Sequence, residues 1–455
     1  MKIYNPATEE LIAELQEDTV ESVQEVLGNL TNGQSKWASK SIEHRIACIE
    51  KFSQLLVRNS DQLSEILTSE VGKPLNQSAN EINGAAERIQ YFIENSSQVL
   101  TERIAHKEEG LEEKVTFEPL GVIANISSWN YPYLVGVNVF IPALIGGNAV
   151  MYKPSEFSTL TGLEIEKMMN KAGVPKDVFK CLIGGGEVGQ MLLNIPLDGY
   201  FFTGSYKTGN YIYQQVAKKM VPCQMELGGK DPLFVSEYNS NIKGVAQAAA
   251  EGAFYNNGQS CCAVERIYVH ANVYQEFVEE FIKEVKTYKS GNPTEEGTYI
   301  GPLTRASQLD VLATQIGEAL EKGAKLVLGG KASDGAGYYF EPTVLTNVNH
   351  EMLVMTEESF GPIIGVQEVQ NNEVAIRLMK DTKYGLTSAI YTENQEEFEL
   401  MGKQMTSGTV YWNCCDRVSA NVPWSGTGNS GFGSTLSEEG IKAFVRGKAW
   451  QMKEH

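Results

Sequence analysis

Short apolar strands alternate with helix-length segments from residue 120 onward, and this alternation restricts the folds that the chain can adopt. The first four predicted strands lie at 121–126, 148–153, 178–183 and 199–203. Two more, each followed by a helical pattern, lie at 232–235 and 266–269. A strand followed by a helical crossover pairs in parallel with a later strand, so the pattern predicts an α/β protein. Ligands of parallel sheets bind at the carboxyl ends of the strands, which makes the polar turns there candidate binding sites.

The remaining segments differ from this alternation. Residues 1–98 place apolar side chains at helical spacing and predict helices, with Ser60-Asp61 as a cap for one of them. Residues 99–119 begin with a charged, weakly apolar stretch and predict an exposed hairpin. Residues 133–152 carry no charge, but prolines, glycines and asparagines interrupt them. That stretch therefore predicts a buried helix leading into a buried strand, and not a membrane span.

The composition argues against several classes of function. The formal net charge is −19, and such an acidic surface repels phosphate backbones and anionic lipids, so neither a nucleic-acid partner nor a membrane is expected. Seven cysteines without a CxxC pair are no disulfide framework, and five widely separated histidines argue against a metal site. The N-terminus shows no apolar signal-peptide region, so a cytoplasmic location is expected.

Two side chains are candidates for covalent chemistry. Cys261 lies in the polar loop 254–263, where an unpaired thiol is either a nucleophile or a small buried residue. Glu226 is a lone carboxylate between apolar neighbours and next to Gly228-Gly229. Burial would raise its pKa and suit a general base, whereas bonds from backbone N–H groups would make it structural. Local sequence leaves both alternatives open.

Three polar turns after predicted strands are candidate nucleotide contacts. The segment 184–189 matches GxGxxG, but no acidic residue ends a strand about twenty residues later, so a tight turn before a helix is favoured. Ser205 precedes a predicted helix and suits either a phosphate site or an ordinary N-cap. Lys153 and Glu156 are spaced to hydrogen-bond the ribose of an adenosine, or they form a surface charge pair.

Six motifs, taken together and in chain order, resemble those of the aldehyde dehydrogenase superfamily across nearly the whole chain. They are Trp129–Pro132 (WNYP), Lys153–Glu156 (KPSE), Phe202–Ser205 (FTGS), Glu226–Lys230 (ELGGK), Gly258–Cys261 (GQSC) and Glu357–Pro362 (EESFGP). A later pair of segments, Pro423–Gly426 and Ser430–Gly433, resembles the family's closing glycine motif. Because the motifs include both the thiol and the carboxylate, the resemblance favours chemical roles for Cys261 and Glu226.

The resemblance implies an α/β subunit with a Rossmann-type cofactor domain, an α/β catalytic domain and a small β oligomerisation arm. The implied bounds are 1–98 and 120–228 for the NAD-binding domain, 229–430 for the catalytic domain, and 99–119 with 431–455 for the arm. Members of the family are homodimers or homotetramers in which the arm extends the partner's sheet. In this family the cofactor pyrophosphate lies at the helix after Ser205, which leaves the GxGxxG match as a cofactor-side turn.

The resemblance also implies a role for each site residue. Cys261 would attack an aldehyde, the Asn130 amide would hold the oxyanion with the Cys261 backbone N–H, and Glu226 would activate water to hydrolyse the thioester. The implied cofactor contacts are Trp129, Lys153, Glu156, Ser205, Glu358 and Phe360. The implied pocket consists of Tyr131, Leu134, Val135, Asn138, Ser260, Cys262, the loop 414–419 and Trp424. NAD is expected in preference to NADP, which stays possible, because Glu156 would lie beside the ribose 2′ position.

Two alternatives and several departures from the family pattern qualify this interpretation. A CoA-acylating dehydrogenase is disfavoured because members of that branch lack the general-base glutamate, and a non-enzymatic role is disfavoured because the thiol is retained. Relatives that take succinate semialdehyde usually carry arginine at the position of Asn138, and betaine-aldehyde relatives tend to carry tryptophan; the asparagine supports neither. Ser128 replaces a frequent proline, and Tyr206-Lys207 replaces the usual threonine-glutamate.

Overall fold

A computed structural model of the chain describes residues 1–454 and has the alternating elements that the sequence predicts. The strands are β1 (Lys2–Tyr4), β2 (Leu11–Glu14), β3 (Arg103–Glu108), β4 (Leu111–Pro119), β5 (Val122–Ile126), β6 (Ala149–Lys153), β7 (Phe179–Cys181), β8 (Gly199–Thr203), β9 (Cys223–Glu226), β10 (Asp231–Val235), β11 (Val264–His270), β12 (Lys325–Leu328), β13 (Thr343–Thr346), β14 (Ile363–Val369), β15 (Thr387–Tyr391), β16 (Thr409–Trp412), β17 (Gly431–Phe432) and β18 (Val445–Lys453).

The helices surround the two larger sheets that these strands form. They are α1 (Val20–Ala38), α2 (Ile42–Arg58), α3 (Ser60–Val71), α4 (Leu75–Val99), α5 (Pro132–Ile145), α6 (Thr159–Ala172), α7 (Gly186–Asn194), α8 (Tyr206–Val216), α9 (Ile242–Phe254), α10 (Ala271–Val285), α11 (Ser307–Glu321), α12 (Leu353–Thr356), α13 (Asn372–Lys380), α14 (Gln395–Gly402) and α15 (Ser437–Lys442). Short 3₁₀ turns lie at Glu156–Ser158, Ala217–Lys219, Tyr255–Gly258 and Gly428–Ser430.

The first large sheet has the strand order β17-β9-β8-β5-β6-β7, and its pairs are parallel except that of β17 with β9. Every residue of β5 and β6 is buried, as expected for strands that helices cover on both faces. One cluster of core side chains joins α2, α4 and α5 to this sheet, where Phe140 meets the rings of Phe52, Tyr152 and Phe179. The α/β class with parallel sheets is thereby confirmed.

The second large sheet has the order β12-β13-β14-β11-β10-β15-β16 and is parallel apart from β12. Its central strands β10 and β11 are buried along their whole length, with α9 and α10 packed together on one face. The loop from α9 to β11 and the loop from β9 to β10 lie next to one another, since Gly229 approaches the Cys261 carbonyl. Both predicted chemical residues therefore lie where the two sheets meet.

The predicted exposed hairpin is formed by β3 and β4, and β18 pairs along the whole of β4 to complete a three-stranded sheet. The arm assigned from the sequence begins too early, however. β17 pairs with β9 in the first large sheet, and α15 packs on α4 and α5, so residues 431–444 do not belong to the arm sheet. The reason is that Leu436, Ile441 and Phe444 are buried in the core around α5.

Two local predictions at helices have different outcomes. The predicted cap Ser60-Asp61 is wrong, because α3 already begins at Ser60 and the N-cap residue is Asn59, which makes no side-chain capping bond. The uncharged stretch 133–152 forms most of α5 and then β6, as predicted. Within residues 1–454, no helix combines the length and apolar character needed to cross a membrane.

Candidate active site

A cavity of about 610 Å³ lies between the two large sheets. All the side chains predicted to form the pocket line it, except Ser419. They are Tyr131, Leu134, Val135, Asn138, Ser260, Cys262, the loop residues 414–418 and Trp424. Cys261 lines the same cavity. The structure thus brings together residues from α5, from the loop before β11 and from the C-terminal region.

A left-handed turn carries Cys261 into this cavity. Asn256, Asn257 and Gly258 have φ angles of 51°, 57° and 67°, and the Asn257 side chain donates to the Gly301 carbonyl at 2.7 Å. A Cβ atom at Gly258 would lie 2.5 Å from the Gly361 carbonyl oxygen, so only glycine fits there. Two consecutive left-handed asparagines are energetically unfavourable unless their surroundings hold them, which is a pattern found at functional sites.

Asn130 lies directly beside this turn. Its Nδ2 donates to the Gln259 carbonyl at 3.0 Å, and its Oδ1 accepts from the Ser128 hydroxyl at 2.8 Å. Ser128, one of the departures from the family pattern, therefore fixes which way the amide of Asn130 points. Across residues 1–454 the backbone N–H of Cys261 has no protein acceptor, so it is available to an incoming oxygen.

A buried ion pair supports Asn130 from below, and sequence analysis missed it. Lys73 forms a close ion pair with Glu81 and donates to the Asn130 carbonyl at 2.7 Å. Glu81 accepts from the Tyr133 backbone N–H at 2.8 Å, which anchors the start of α5. Burial raises the pKa of Glu81 and lowers that of Lys73, while their mutual attraction opposes both shifts. Neither residue lies in a motif, so only the tertiary fold reveals the pair.

Glu226, the last residue of β9, has the environment of a general base. Its side chain is buried, and within residues 1–454 its Oε1 makes no hydrogen bond. Burial raises the pKa of Glu226 well above its usual range, and the nearby Cys261 thiol adds to this rise. The bonded, structural alternative that the sequence left open is not what the geometry shows for Oε1. An unpaired buried carboxylate with a raised pKa is well matched to proton abstraction near neutral pH.

The two adjacent cysteines have different surroundings. The Cys262 thiol donates to Asp416 Oδ1 at 3.0 Å, and the Ser260 hydroxyl donates to the same oxygen at 3.3 Å. Hydrogen bonding with Cys261 and burial raise the pKa of Cys262 well above its usual range, and the Asp416 charge adds to this. Asp416 itself, whose pKa burial raises to about 7, was missed by sequence analysis. Cys262 is therefore a hydrogen-bonded thiol, while Cys261 is the cysteine free to react.

The predicted adenosine side of the cofactor site lies at the ends of β6 and β8. Lys153 ends β6 and donates to the Pro154 carbonyl at 2.9 Å. Burial lowers the pKa of Lys153, and the negative charge of Glu156 opposes this shift. Glu156 follows at the start of a 3₁₀ turn. Ser205 is the N-cap of α8 and accepts from the Thr208 N–H, and the N–H groups of Tyr206 and Lys207 have no acceptor within residues 1–454. The GxGxxG segment forms the turn that opens α7, as predicted.

The predicted nicotinamide side lies at the loop before β14. Glu358 accepts from the Gly229 N–H at 3.0 Å, and burial raises its pKa to about 7. A Cβ atom at Gly228 would lie 2.2 Å from Glu358 Oε1, so the glycine pair makes room for this carboxylate. Phe360 has a φ of 46° and meets Trp129 edge-on, with the ring centres 5.6 Å apart. These side chains form the other wall of the cleft.

A cation that sequence analysis missed, Arg305, lies beside the ring of Trp129. Its guanidinium carbon is 5.6 Å from the centre of the Trp129 ring, and its Nη2 donates to Gln308 at 2.8 Å. Burial lowers the pKa of Arg305, and the charges of Glu156 and Glu358 oppose the shift. Its buried Nε has no partner within residues 1–454. Arg305 thus places a positive charge near two carboxylates that the sequence predicts to contact the cofactor.

Comparison with known proteins gives a consistent result. A sequence model of the aldehyde dehydrogenase family matches residues 1–450. The chloroplastic betaine aldehyde dehydrogenase of Amaranthus hypochondriacus is 32% identical over 455 residues, covering 97% of this chain and 91% of the relative. An NADP-dependent enzyme of E. coli superimposes with a TM-score of 0.97 at 27% identity, covering 100% of this chain and 94% of that one.

A third similar protein was solved with a cofactor bound. Betaine aldehyde dehydrogenase of Staphylococcus aureus, in complex with NAD+, superimposes with a TM-score of 0.95 at 28% identity, covering 100% of this chain and 92% of that one. The family match, the shared fold and the whole-length coverage agree with the motifs around Cys261 and Glu226. The chain belongs to the aldehyde dehydrogenase family of oxidoreductases.

Proposed function

We propose that this protein oxidises an aldehyde to a carboxylic acid with NAD or NADP, through a covalent intermediate on Cys261. One observation carries the proposal. The Cys261 thiol lines the cavity, the Asn130 amide donates to the carbonyl of Gln259 two residues before it, and the buried Glu226 carboxylate has an Oε1 without a hydrogen bond and a raised pKa to which Cys261 contributes. These groups can supply a nucleophile, an oxyanion donor and a general base respectively.

Cys261 begins the reaction as the nucleophile. Its thiolate attacks the aldehyde carbon, a carbon–sulfur bond forms, and the carbonyl π electrons move to oxygen to give a thiohemiacetal oxyanion. A free thiol is only a few per cent ionised near neutral pH, so the proton must leave before attack. That proton leaves to solvent, so Glu226 remains unprotonated for the hydrolysis that follows.

Asn130 and the Cys261 backbone N–H hold the developing oxyanion. Nδ2 of Asn130 carries a second hydrogen beyond the one that it donates to Gln259. The Ser128 hydroxyl fixes the amide in this orientation, so little reorganisation is needed when negative charge appears. Loss of one such donor lowers rates by about 100- to 1000-fold in well-studied enzymes.

When bound, a nicotinamide cofactor would supply the hydride acceptor for oxidation at the thiohemiacetal carbon. Trp129, Phe360 and Glu358 would hold this end of the cofactor, with Glu358 on the ribose. Lys153 and Glu156 would hold the adenosine ribose, and the helix start at Ser205 suits the pyrophosphate. The fit is supported by the N–H groups at the start of α8 that have no acceptor among the described residues and by the glycine pair that accommodates Glu358.

Glu226 completes the cycle by hydrolysis. Its carboxylate takes a proton from water, hydroxide adds to the thioester carbon, and the carbon–sulfur bond breaks to release the carboxylic acid and the Cys261 thiolate. The raised pKa of Glu226 makes it a stronger base than an exposed carboxylate. Its Oε1, free of hydrogen bonds to the described residues, is positioned to accept the proton of a water molecule.

We also propose that the protein works as a homodimer or homotetramer joined through the arm, and that it prefers NAD. The arm sheet of β18, β4 and β3 has both faces largely exposed. Glu156 would lie beside the ribose 2′ position and repel the phosphate of NADP. The domain bounds inferred from the sequence are part of this proposal, with the arm now limited to 103–119 and 445–453.

The direct test is product analysis with the purified protein. Incubation with a simple aldehyde and NAD should give NADH and the free acid in equal amounts. Adding CoA should neither raise the rate nor yield an acyl-CoA, which would mark the acylating alternative. A protein that forms neither NADH nor acid with a broad panel of aldehydes and both cofactors would contradict the proposed function.

A further inference from the structure

An arginine that no motif includes reaches the substrate cavity from α4. Arg88 lines the cavity together with Leu134 and Asn138 of α5. Its Nη1 donates to the Leu134 carbonyl at 3.3 Å and to Asn138 Oδ1 at 3.2 Å. The guanidinium of Arg88 thus contacts Asn138, the side chain from which the sequence alone does not assign a substrate.

The guanidinium of Arg88 has no charge partner in the protein. Both of its acceptors are neutral, and within residues 1–454 it forms no ion pair and its Nε and Nη2 groups have no acceptor. Those groups present the two parallel donors that match a carboxylate. Enclosing an unpaired cation is unfavourable, so its persistence in the fold points to an anion that arrives from outside.

The other charged groups around the cavity are already engaged or face solvent. Glu81 is paired with Lys73, and Asp416 accepts from Cys262 and Ser260. Glu251 and Arg417 lie at the exposed rim. Burial lowers the pKa of Arg88, and the neighbouring groups that oppose this shift are Cys262, Cys261, Glu81 and Tyr131. Among these groups, Arg88 is therefore the charge that lines the cavity without a charged partner, and Cys261 lines the same cavity.

We propose that Arg88 binds a carboxylate carried by the aldehyde, so that the substrate is a short ω-carboxy aldehyde, the semialdehyde of a dicarboxylic acid. This rests on the proposed function, since it names the substrate of that same site. The carbonyl carbon lies at Cys261 and the distal carboxylate on the free edge of Arg88. The carbon chain between them packs against Tyr131, Leu134 and Trp424.

The kinetic test compares aldehydes matched in length. The ω-carboxy aldehydes of four to six carbons are assayed beside the neutral alkanals of the same length and beside betaine aldehyde. A charge-assisted bidentate contact should give the best ω-carboxy aldehyde an advantage of about 10-fold or more in kcat/KM. Arg88→Gln should reduce this advantage by about 10-fold, mainly through KM, and Arg88→Lys should retain part of it.

The matched control is Arg58→Gln, which removes an exposed positive charge from the end of α2, outside the cavity. The ratio of kcat/KM for ω-carboxy and neutral aldehydes should stay near the wild-type ratio in this variant. The proposal is overturned if Arg88→Gln slows both substrates equally, if Arg58→Gln reduces the preference as much as Arg88→Gln does, or if the wild-type enzyme prefers neutral or cationic aldehydes.

A binding measurement separates this proposal from the proposed function. Glutarate should protect Cys261 from iodoacetamide in the wild-type protein, whereas its neutral diamide should protect much less. Arg88→Gln should weaken protection by glutarate by about 10-fold. Protection that depends on Arg88, without oxidation of any aldehyde, would support the carboxylate site and contradict the dehydrogenase. Oxidation of neutral aldehydes without such protection would support the dehydrogenase and contradict the carboxylate site.

Discussion

At the residue scale, the clearest contrast is between two adjacent cysteines. Cys262 is held by Asp416 and Ser260, whereas Cys261 lines the cavity and helps to raise the pKa of Glu226. We therefore expect Cys261→Ala to abolish oxidation and Cys262→Ala to leave most of it. Cys262→Ala should lower stability by about 1–3 kcal/mol, because Asp416 loses a buried donor. Steady-state NADH production and thermal unfolding measure the two effects.

Chemical labelling tests the same assignment without turnover. Iodoacetamide followed by peptide mapping should modify Cys261 first, since the pKa of Cys262 is raised and its thiolate is scarce. Preferential labelling of Cys262, together with loss of activity in Cys262→Ala, would show that the nucleophile is misassigned.

Glu226 is expected to act mainly in deacylation. Glu226→Gln should lower the steady rate by about 100-fold or more and leave an early burst of NADH, because the thioester still forms. A base must be unprotonated to act, and its pKa is raised, so the wild-type steady rate should rise with pH until that pKa is passed. Rapid-mixing kinetics across pH measure both. A variant with the full steady rate would remove Glu226 from the mechanism.

Cofactor choice depends on a few charges in the cleft. Glu156 should repel a 2′-phosphate, and a preference of about 10-fold for NAD corresponds to roughly 1.4 kcal/mol. The positive charges of Lys153 and Arg305 would attract that phosphate and so reduce the preference for NAD. Glu156→Gln should therefore raise kcat/KM for NADP relative to NAD, while Glu276→Gln, an exposed change on α10, should not. Equal use of both cofactors by the wild-type protein would contradict this role for Glu156.

The motif residues could be predicted from the sequence because each motif is a short run of consecutive residues that contains the reactive or binding side chain. Cys261, Glu226 and Asn130 all come to one site, as the motifs imply. Their supports could not be predicted in this way. Lys73 bonds Asn130 across 57 positions, and Asp416 bonds Cys262 across 154. Such contacts depend on how whole elements pack, and no local pattern encodes them.

At the element scale, strands were predicted more accurately than helix starts and domain limits. Buried parallel strands are continuous apolar runs, which is why β5, β6 and β8 appear in the sequence nearly as they stand. The start of α3 was misjudged because its N-cap makes no side-chain bond that a serine pattern could indicate. The arm limit was misjudged because the two-residue strand β17 has too little sequence to be recognised.

The ion pair between α4 and the chain before it should matter for stability. Lys73→Met leaves Glu81 buried without its partner, so a loss of about 3–5 kcal/mol is expected. Activity should also fall, because Lys73 supports Asn130. Lys167→Met, which breaks an exposed pair with Glu164, should change stability by no more than about 1 kcal/mol. Thermal unfolding compares them, and equal effects of the two changes would contradict the structural role of the buried pair.

At the scale of the whole molecule, the arm sheet of a single subunit has little of its surface buried. Its three strands bury no core of their own, every residue of β3 is exposed, and Ile104 is 58% exposed. A three-stranded sheet gains stability when a hydrophobic face is covered, and an uncovered edge strand invites pairing with another chain. In the proposed assembly a second copy of the chain would supply such cover.

Removing β18 tests this assembly directly. Deletion of residues 445–455 takes away one strand of the arm but leaves Phe444, the last buried residue before it, in the core. We expect the full chain to have the mass of two or four subunits by light scattering, and the shortened chain to have the mass of one, with its helical circular dichroism retained. Deletion of residues 454–455 alone, which lie beyond β18, is the matched control and should keep the wild-type mass.

Because the active-site residues lie on the two large sheets and their loops, the monomer should still label at Cys261. A full-length protein of single-subunit mass, or a shortened one that still assembles, would show that the arm is not the contact between copies.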